Sequence, residues 1–171
     1  MSNASALPID TALISRLQSS VSDIVLEAIE QLRVTGNSAY LPHLAQMLLE
    51  HPDLDVKESI NRLLGELKDK AVIPVMAELL KNDTLSPIRP QLLAACWSNG
   101  LDYSPYLSLL VGFVISGDGQ TAFEALTVIE NLEVLPDSTV CEQEIIKINR
   151  ALQHAAPEKA YLLQALRGIL A

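Results

Sequence analysis

The chain has 171 residues and a mass of 18.6 kDa, the size of one ordinary domain that can bury a core without metals or disulfides. Apolar residues make up 49% and charged residues 19%, with Leu and Ala abundant and only 7 glycines, a composition that suits neither a disordered chain nor an all-β sandwich. Twelve Lys plus Arg against 21 Asp plus Glu leave a net charge of -9, which repels a phosphate backbone and argues against general nucleic-acid binding.

From the N-terminus, Met1 to Asp10 carries no Lys or Arg, and Asp10 and Arg16 break the apolar run up to Ser20, so no secretory signal is expected and the cytoplasm is the expected compartment. The predicted elements are a lone helix over about 8–19, then pairs at 21–34 with 39–50, 54–67 with 70–81, 87–98 with 103–116, and 119–132 with 137–154. A last helix over 157–170 brings the expected number to about ten. Apolar residues recur at i, i+3 and i+4, as in Ile24, Ala28 and Leu32 or Leu163, Leu166 and Leu170; no run alternates long enough to make a strand, so no sheet is expected.

The order in this pattern is a repeat. Pro8, Pro42, Pro74, Pro105 and Pro136 follow one another at 34, 32, 31 and 31 residues. Proline has no N–H to lose in a first turn and its φ is already helical, so each is expected to open a helix. Five and six places beyond them stand Leu13/Ile14, Met47/Leu48, Leu79/Leu80, Leu110/Val111 and, weakest, Cys141/Glu142; those counted from Pro42, Pro74 and Pro105 are expected in a shared core, whereas Glu142 falls where a core aliphatic belongs. A second phase, Leu32, Leu64, Cys96 and Val128, steps by 32 residues through the companion helices. Asp55 with Glu58 has capping-box spacing, Ser86-Pro87 and Asp118 are further expected starts, and Gly36 and Asn99-Gly100 are expected stops. A two-helix unit of this length cannot bury its apolar face alone, so the units are expected to stack into one continuous core. The most apolar stretch, Tyr103 to Gly117, is fifteen residues long and contains Pro105 and Gly112; it is short of a membrane span and reads as a buried helix. Cys96 and Cys141, far apart in the chain, read as core residues in a reducing compartment.

Two segments carry a family resemblance: Asp55-Val56-Lys57-Glu58-Ser59-Ile60 through Ile73-Pro74 to Lys81-Asn82-Asp83, and Ile88-Arg89 through Ser104-Pro105-Tyr106-Leu107. They resemble the HEAT-like repeats of the armadillo-type α-solenoids, in which an acidic residue and an aliphatic-basic dipeptide lead to a second helix opening near a proline. Val56-Lys57 and Ile88-Arg89 match the dipeptide, and Asp53, Asp83 and Asp118 match the acidic junctions. The first pair has Ile24-Val25 and the fourth Gln120-Thr121 at the dipeptide position, without a basic residue. The resemblance implies a single all-α superhelical domain over 1–171, with a capping helix in 1–20, three clearer repeats in 21–117, and a divergent repeat plus capping helix in 118–171. It also implies that the proline-started helices form the inner layer, where partners of such stacks usually lie. The fold hosts adaptors, bilin-attachment factors and DNA glycosylases, so it does not by itself choose an activity.

No constellation for catalysis stands out. The glycines do not form a phosphate loop, and His43, His51 and His154 lack the spacing of a zinc-protease helix. His51-Pro52-Asp53 spells the loop tripeptide of J-domain cochaperones, but Leu44 to Glu50 contains no Lys or Arg and so lacks the basic helix that family requires. Glu130 with Glu133, and Glu142 with Glu144, are carboxylate pairs that read as solvated helix faces. No catalytic residue, cofactor or metal is expected.

One asymmetry stands above this background. Between Arg89 and Lys147 there is no Lys or Arg, while Asp102, Asp118, Glu124, Glu130, Glu133, Asp137, Glu142 and Glu144 give the segment a charge of -8. Such a zone favours cations through its summed field, and the adjacent apolar helix offers burial. The leading reading is a non-enzymatic adaptor or scaffold whose protein partner brings a basic or amphipathic segment, with no nucleic acid and no membrane involved. Tyr103 and Tyr106 are the expected anchors and Glu130, Glu133 and Asp137 the expected acidic contacts. The alternative is an accessory or enzymatic HEAT protein of the bilin-lyase-like or glycosylase-like kind.

Overall fold

The computed structural model describes residues 9–35 and 38–171. Ten α-helices run through them: α1 (Thr11–Leu17), α2 (Ser22–Thr35), α3 (Leu41–Glu50), α4 (Leu54–Glu66), α5 (Val72–Lys81), α6 (Arg89–Asn99), α7 (Leu107–Ser116), α8 (Gly119–Glu130), α9 (Ser138–Leu152) and α10 (Pro157–Leu170). No strand occurs among the described residues, as the unbroken helical periodicity requires. The expected helix start at Pro8 and stop at Gly36 lie outside the described residues.

Two layers form. The even-numbered helices pack side by side, α2 on α4, α4 on α6, α6 on α8 and α8 on α10, while α3 lies on α5 and α7 on α9 in the other layer. Each odd-numbered helix also packs on the even-numbered helix after it, because those connections include the shortest in the chain, three residues between α3 and α4 and two between α7 and α8. The tightest hairpins therefore close across the acidic junctions, and α1, expected to stand alone, is paired with α2. Between the layers runs one core that takes in Leu48, Leu80, Leu110, Val111 and Cys141 from the proline phase and Leu32, Leu64, Cys96 and Val128 from the companion phase.

Several helix boundaries differ in detail from expectation. Asp53, not Asp55, caps α4, accepting from the Asp55 amide at 2.9 Å and from the Ser22 hydroxyl of α2. Those two bonds, the hydroxyl first, hold the Asp53 carboxyl below the usual range. Ser86-Pro87 does not open α6: both lie in a 3-10 segment, Asp83–Ile88, capped by Asn82, and Pro90 takes the first-turn position of α6. Pro105 likewise sits in a 3-10 turn, Ser104–Tyr106, ahead of α7, and Pro136 precedes the true cap of α9, Asp137. Asp118 caps α8 as expected, accepting from the Thr121 amide at 2.7 Å. At α4, α8, α9 and the Asp83–Ile88 segment a carboxylate or amide oxygen satisfies a first-turn amide and sets the first residue, whereas α6 and α7 start without a side-chain cap.

The aliphatic-basic dipeptide has a physical role in this arrangement. Lys57 at the start of α4 donates to the Leu49 carbonyl at 3.4 Å, and Arg89 at the start of α6 donates to the Leu80 carbonyl at 3.0 Å. Each cation thus closes the carbonyl end of the preceding odd-numbered helix, where the helix dipole is negative. The pair at Gln120-Thr121 offers no cation to α7. Lys159, from α10, supplies it, donating to the Val114 carbonyl at 3.1 Å and the Gly117 carbonyl at 2.6 Å.

The Asn99-Gly100 stop is realised with Gly100 at φ 64, the left-handed region. A Cβ there would meet nothing within 4 Å, so Gly100→Ala should cost only the backbone strain, about 1 kcal/mol, read from the shift in a urea unfolding curve.

Candidate functional site

The expected anchors separate on inspection. Tyr103 is only 1% exposed; its hydroxyl accepts from Asn99 Nδ2 at 3.1 Å, and the Asn99 carbonyl accepts from Lys68 at 2.6 Å. Tyr103 is therefore a core residue of the α6–α7 corner and not a docking anchor, a correction whose reason is its burial and its hydrogen bond with Asn99. Burial raises its phenol well above the usual range. The same burial pushes the neighbouring Cys96 thiol up to about 12, so that sulfur is not a nucleophile. Tyr106 remains half-buried, with the Lys81 ammonium 5.9 Å from its ring centroid.

The acidic zone resolves into different tasks. Asp118 and Asp137 are helix caps, Asp102 accepts from the Ser104 amide at 2.9 Å, and Glu124 accepts from the Trp97 indole N–H at 2.9 Å. Glu144 is buried, paired with Lys147 at 2.7 Å, and its Oε2 has no hydrogen-bond partner, which corrects the reading of Glu142 and Glu144 as one solvated face. Glu142, which stands where the proline phase wants a core aliphatic, is exposed, and Cys141 alone of that pair points inward. Glu130 and Glu133 do not share a helix, since α8 ends at Glu130. Glu130, Glu133 and Asp137 are all exposed and run from the end of α8 along the loop to the cap of α9. Glu133 lines, together with Lys70 and Asp102, a notch of about 240 Å³.

The α7 helix, apolar on nearly every side, is enclosed in part. Leu107, Leu110, Val111 and Val114 are buried in the stack, while Leu109, Phe113 and Ile115 are half-buried. Phe113 is covered by the Arg89 guanidinium at 4.9 Å from its centroid.

Three side chains that the sequence pattern did not single out are prominent on the surface. Trp97 is 40% exposed, Phe123 57% and Tyr161 73%. They lie on α6, α8 and α10, which are consecutive members of the even-numbered layer. The available signal was register: Trp97 follows Cys96 of the 32-residue phase and Phe123 follows the buried Ala122, and one residue along a helix is a step of about 100° off the core line.

Elsewhere, a groove of about 360 Å³ lies between α1 and α3 and is lined by Ile14, Leu17, His43, Met47 and His51 among others. The His51-Pro52-Asp53 tripeptide serves the chain itself, with His51 Nδ1 accepting from the Asp53 amide at 3.1 Å. No group of His, Cys, Asp or Glu able to hold a metal occurs among the described residues, and no helix among them is long and apolar enough to cross a membrane.

No curated protein matches the chain. The family model for HEAT repeats matches residues 11–96, half of the chain, from the first residue of α1 to the core cysteine of α6. That span holds both cation-closed junctions, Lys57 on α3 and Arg89 on α5, within the layered all-helical stack. The chain belongs to the HEAT-repeat family.

Proposed function

We propose that the protein is a non-enzymatic interaction scaffold: one α-solenoid domain, with 1–20 and 118–171 as atypical ends around the repeats of 21–117, that binds a protein carrying a basic or amphipathic segment. Membership of the HEAT-repeat family supports the scaffold role. The observation that carries the partner's chemistry is the line of exposed carboxylates Glu130, Glu133 and Asp137, in a stretch of chain with no Lys or Arg between Arg89 and Lys147. The summed field of three such carboxylates favours basic partners and speeds their encounter. Two unpaired, buried thiols, Cys96 and Cys141, suit a cytoplasmic location.

The test is capture from native cell extract at low and high salt, with wild type and with Glu130→Lys, Glu133→Lys and Asp137→Asn combined. Asparagine at 137 keeps a helix cap while removing the charge. The expected result is a protein retained by wild type at low salt, released at high salt and lost to the variant. Retention that is equal for both chains and indifferent to salt would make this edge an inert solvated face.

A further inference from the structure

Seven aromatic side chains are present, and their fates differ. Tyr40 and Tyr103 are buried; Tyr106 and Phe113 are half-buried and each already lies beneath a cation, Lys81 and Arg89. The other three, Trp97, Phe123 and Tyr161, are exposed, and among the described residues no cation stands over any of them. All three belong to the even-numbered layer, one on each of α6, α8 and α10, so α8 is flanked by a ring on either side and carries a third.

Along α8, and along α6 beyond its first residue, the charge has one sign. The α8 helix contains Glu124 and Glu130 and no Lys or Arg, and no basic residue occurs in α6 after Arg89. Arg89 itself is committed to Leu80, Asp83 and Phe113. On α10, Lys159 is committed to the carbonyls that end α7, and Arg167 donates to Asn149 at 3.3 Å. The Glu124 carboxylate holds the indole N–H of Trp97, which fixes that ring in place and puts a negative charge beside it. Rings with a negative face next to unneutralised carboxylates are complementary to guanidinium and ammonium groups, and rigid aromatic area at low entropic cost is what binding hot spots use.

We propose that the exposed face of α6, α8 and α10 is a docking surface for an arginine- or lysine-bearing peptide segment of a partner protein, its cations lying over Trp97, Phe123 and Tyr161. The inference rests on the scaffold reading and deepens it, moving the anchors from the α6–α7 corner and the proline-started layer to the opposite layer. Nucleic acid could also stack on these rings, but Glu124 and Glu130 would repel its phosphates.

Trp97 is the single tryptophan of the chain, so its emission reports on this face directly. The full chain is titrated with a synthetic Arg-Gly repeat peptide, its Lys-Gly and Glu-Gly counterparts, and a single-stranded oligonucleotide. A saturable change in Trp97 emission with the arginine peptide, weaker with lysine and absent with glutamate and oligonucleotide, is expected. Phe123→Ala with Tyr161→Ala should weaken the arginine peptide about tenfold, while Phe123→Tyr with Tyr161→Phe should bind as wild type does; both residues are exposed, and circular dichroism checks that the helices are intact. Unchanged emission with the arginine peptide, equal affinity of the Phe123→Ala, Tyr161→Ala variant, or saturation by the oligonucleotide each overturns the proposal. If that variant captures the same salt-sensitive partner as wild type and the charge-altered variant does not, the scaffold reading stands and this surface falls.

Discussion

Replacing Leu93 by alanine is expected to cost about 3–5 kcal/mol, a large share of the roughly 5–15 kcal/mol that holds a domain of this size together. Leu93 is fully buried in α6, the even-numbered helix that packs against α4 on one side and α8 on the other, so no neighbour can close the gap without pulling away from a second contact. Leu79→Ala, at the rim of the core with 9% exposure, should cost less, about 2–3 kcal/mol, because the cavity there opens in part to solvent. Urea unfolding followed by far-ultraviolet circular dichroism measures both. A loss below about 1 kcal/mol at Leu93 would mean that α6 is not the centre of the stack.

The second large effect is expected at Lys159. Its ammonium closes two carbonyls at the end of α7 from a helix more than forty residues further along the chain, and burial holds its pKa below the usual lysine range although nearby Asp118 favours the charged form. Lys159→Met keeps the stem and removes the donor, leaving those carbonyls unpaired; about 2–3 kcal/mol of stability should go. Lys159→Arg should recover most of it. The loss should also be local: in a stack whose units touch only their neighbours, hydrogen exchange should quicken in α10 and the end of α7 while α2 and α4 keep their protection. Uniform loss along the chain, or none, would show that Lys159 is not the clasp of the C-terminal unit.

How far the sequence was legible depends on which interactions are local. Helix period, first-turn prolines and glycine stops act within a few residues, so all ten helices could be located from them, and Gly100 and Asp118 take the roles their residue types imply. Capping was less legible, since Asp53 and Asp55 are both acceptable caps and the choice depends on Ser22, which reaches Asp53 from another helix. The phase counted from Pro136 is carried by Cys141 alone, because a carboxylate at Glu142 turns to solvent where the other copies bury an aliphatic residue. Glu144 could not be known as buried from α9 alone; its face is set by Lys147, whose ammonium also donates to Ser108 of α7 at 2.9 Å.

The candidate site divides along the same line. By itself the sequence determined a helical repeat with a 32-residue step, an all-α stack and a stretch without positive charge, because periodicity, propensity and charge count are properties of the chain. Only the tertiary structure decided that Tyr103 turns inward onto Asn99, that the acidic residues divide into caps, a buried pair and an exposed edge, and that Trp97, Phe123 and Tyr161 share one layer. Which side chains meet depends on helices far apart in sequence lying side by side, and that is settled by packing between α6, α8 and α10, not by any spacing within them.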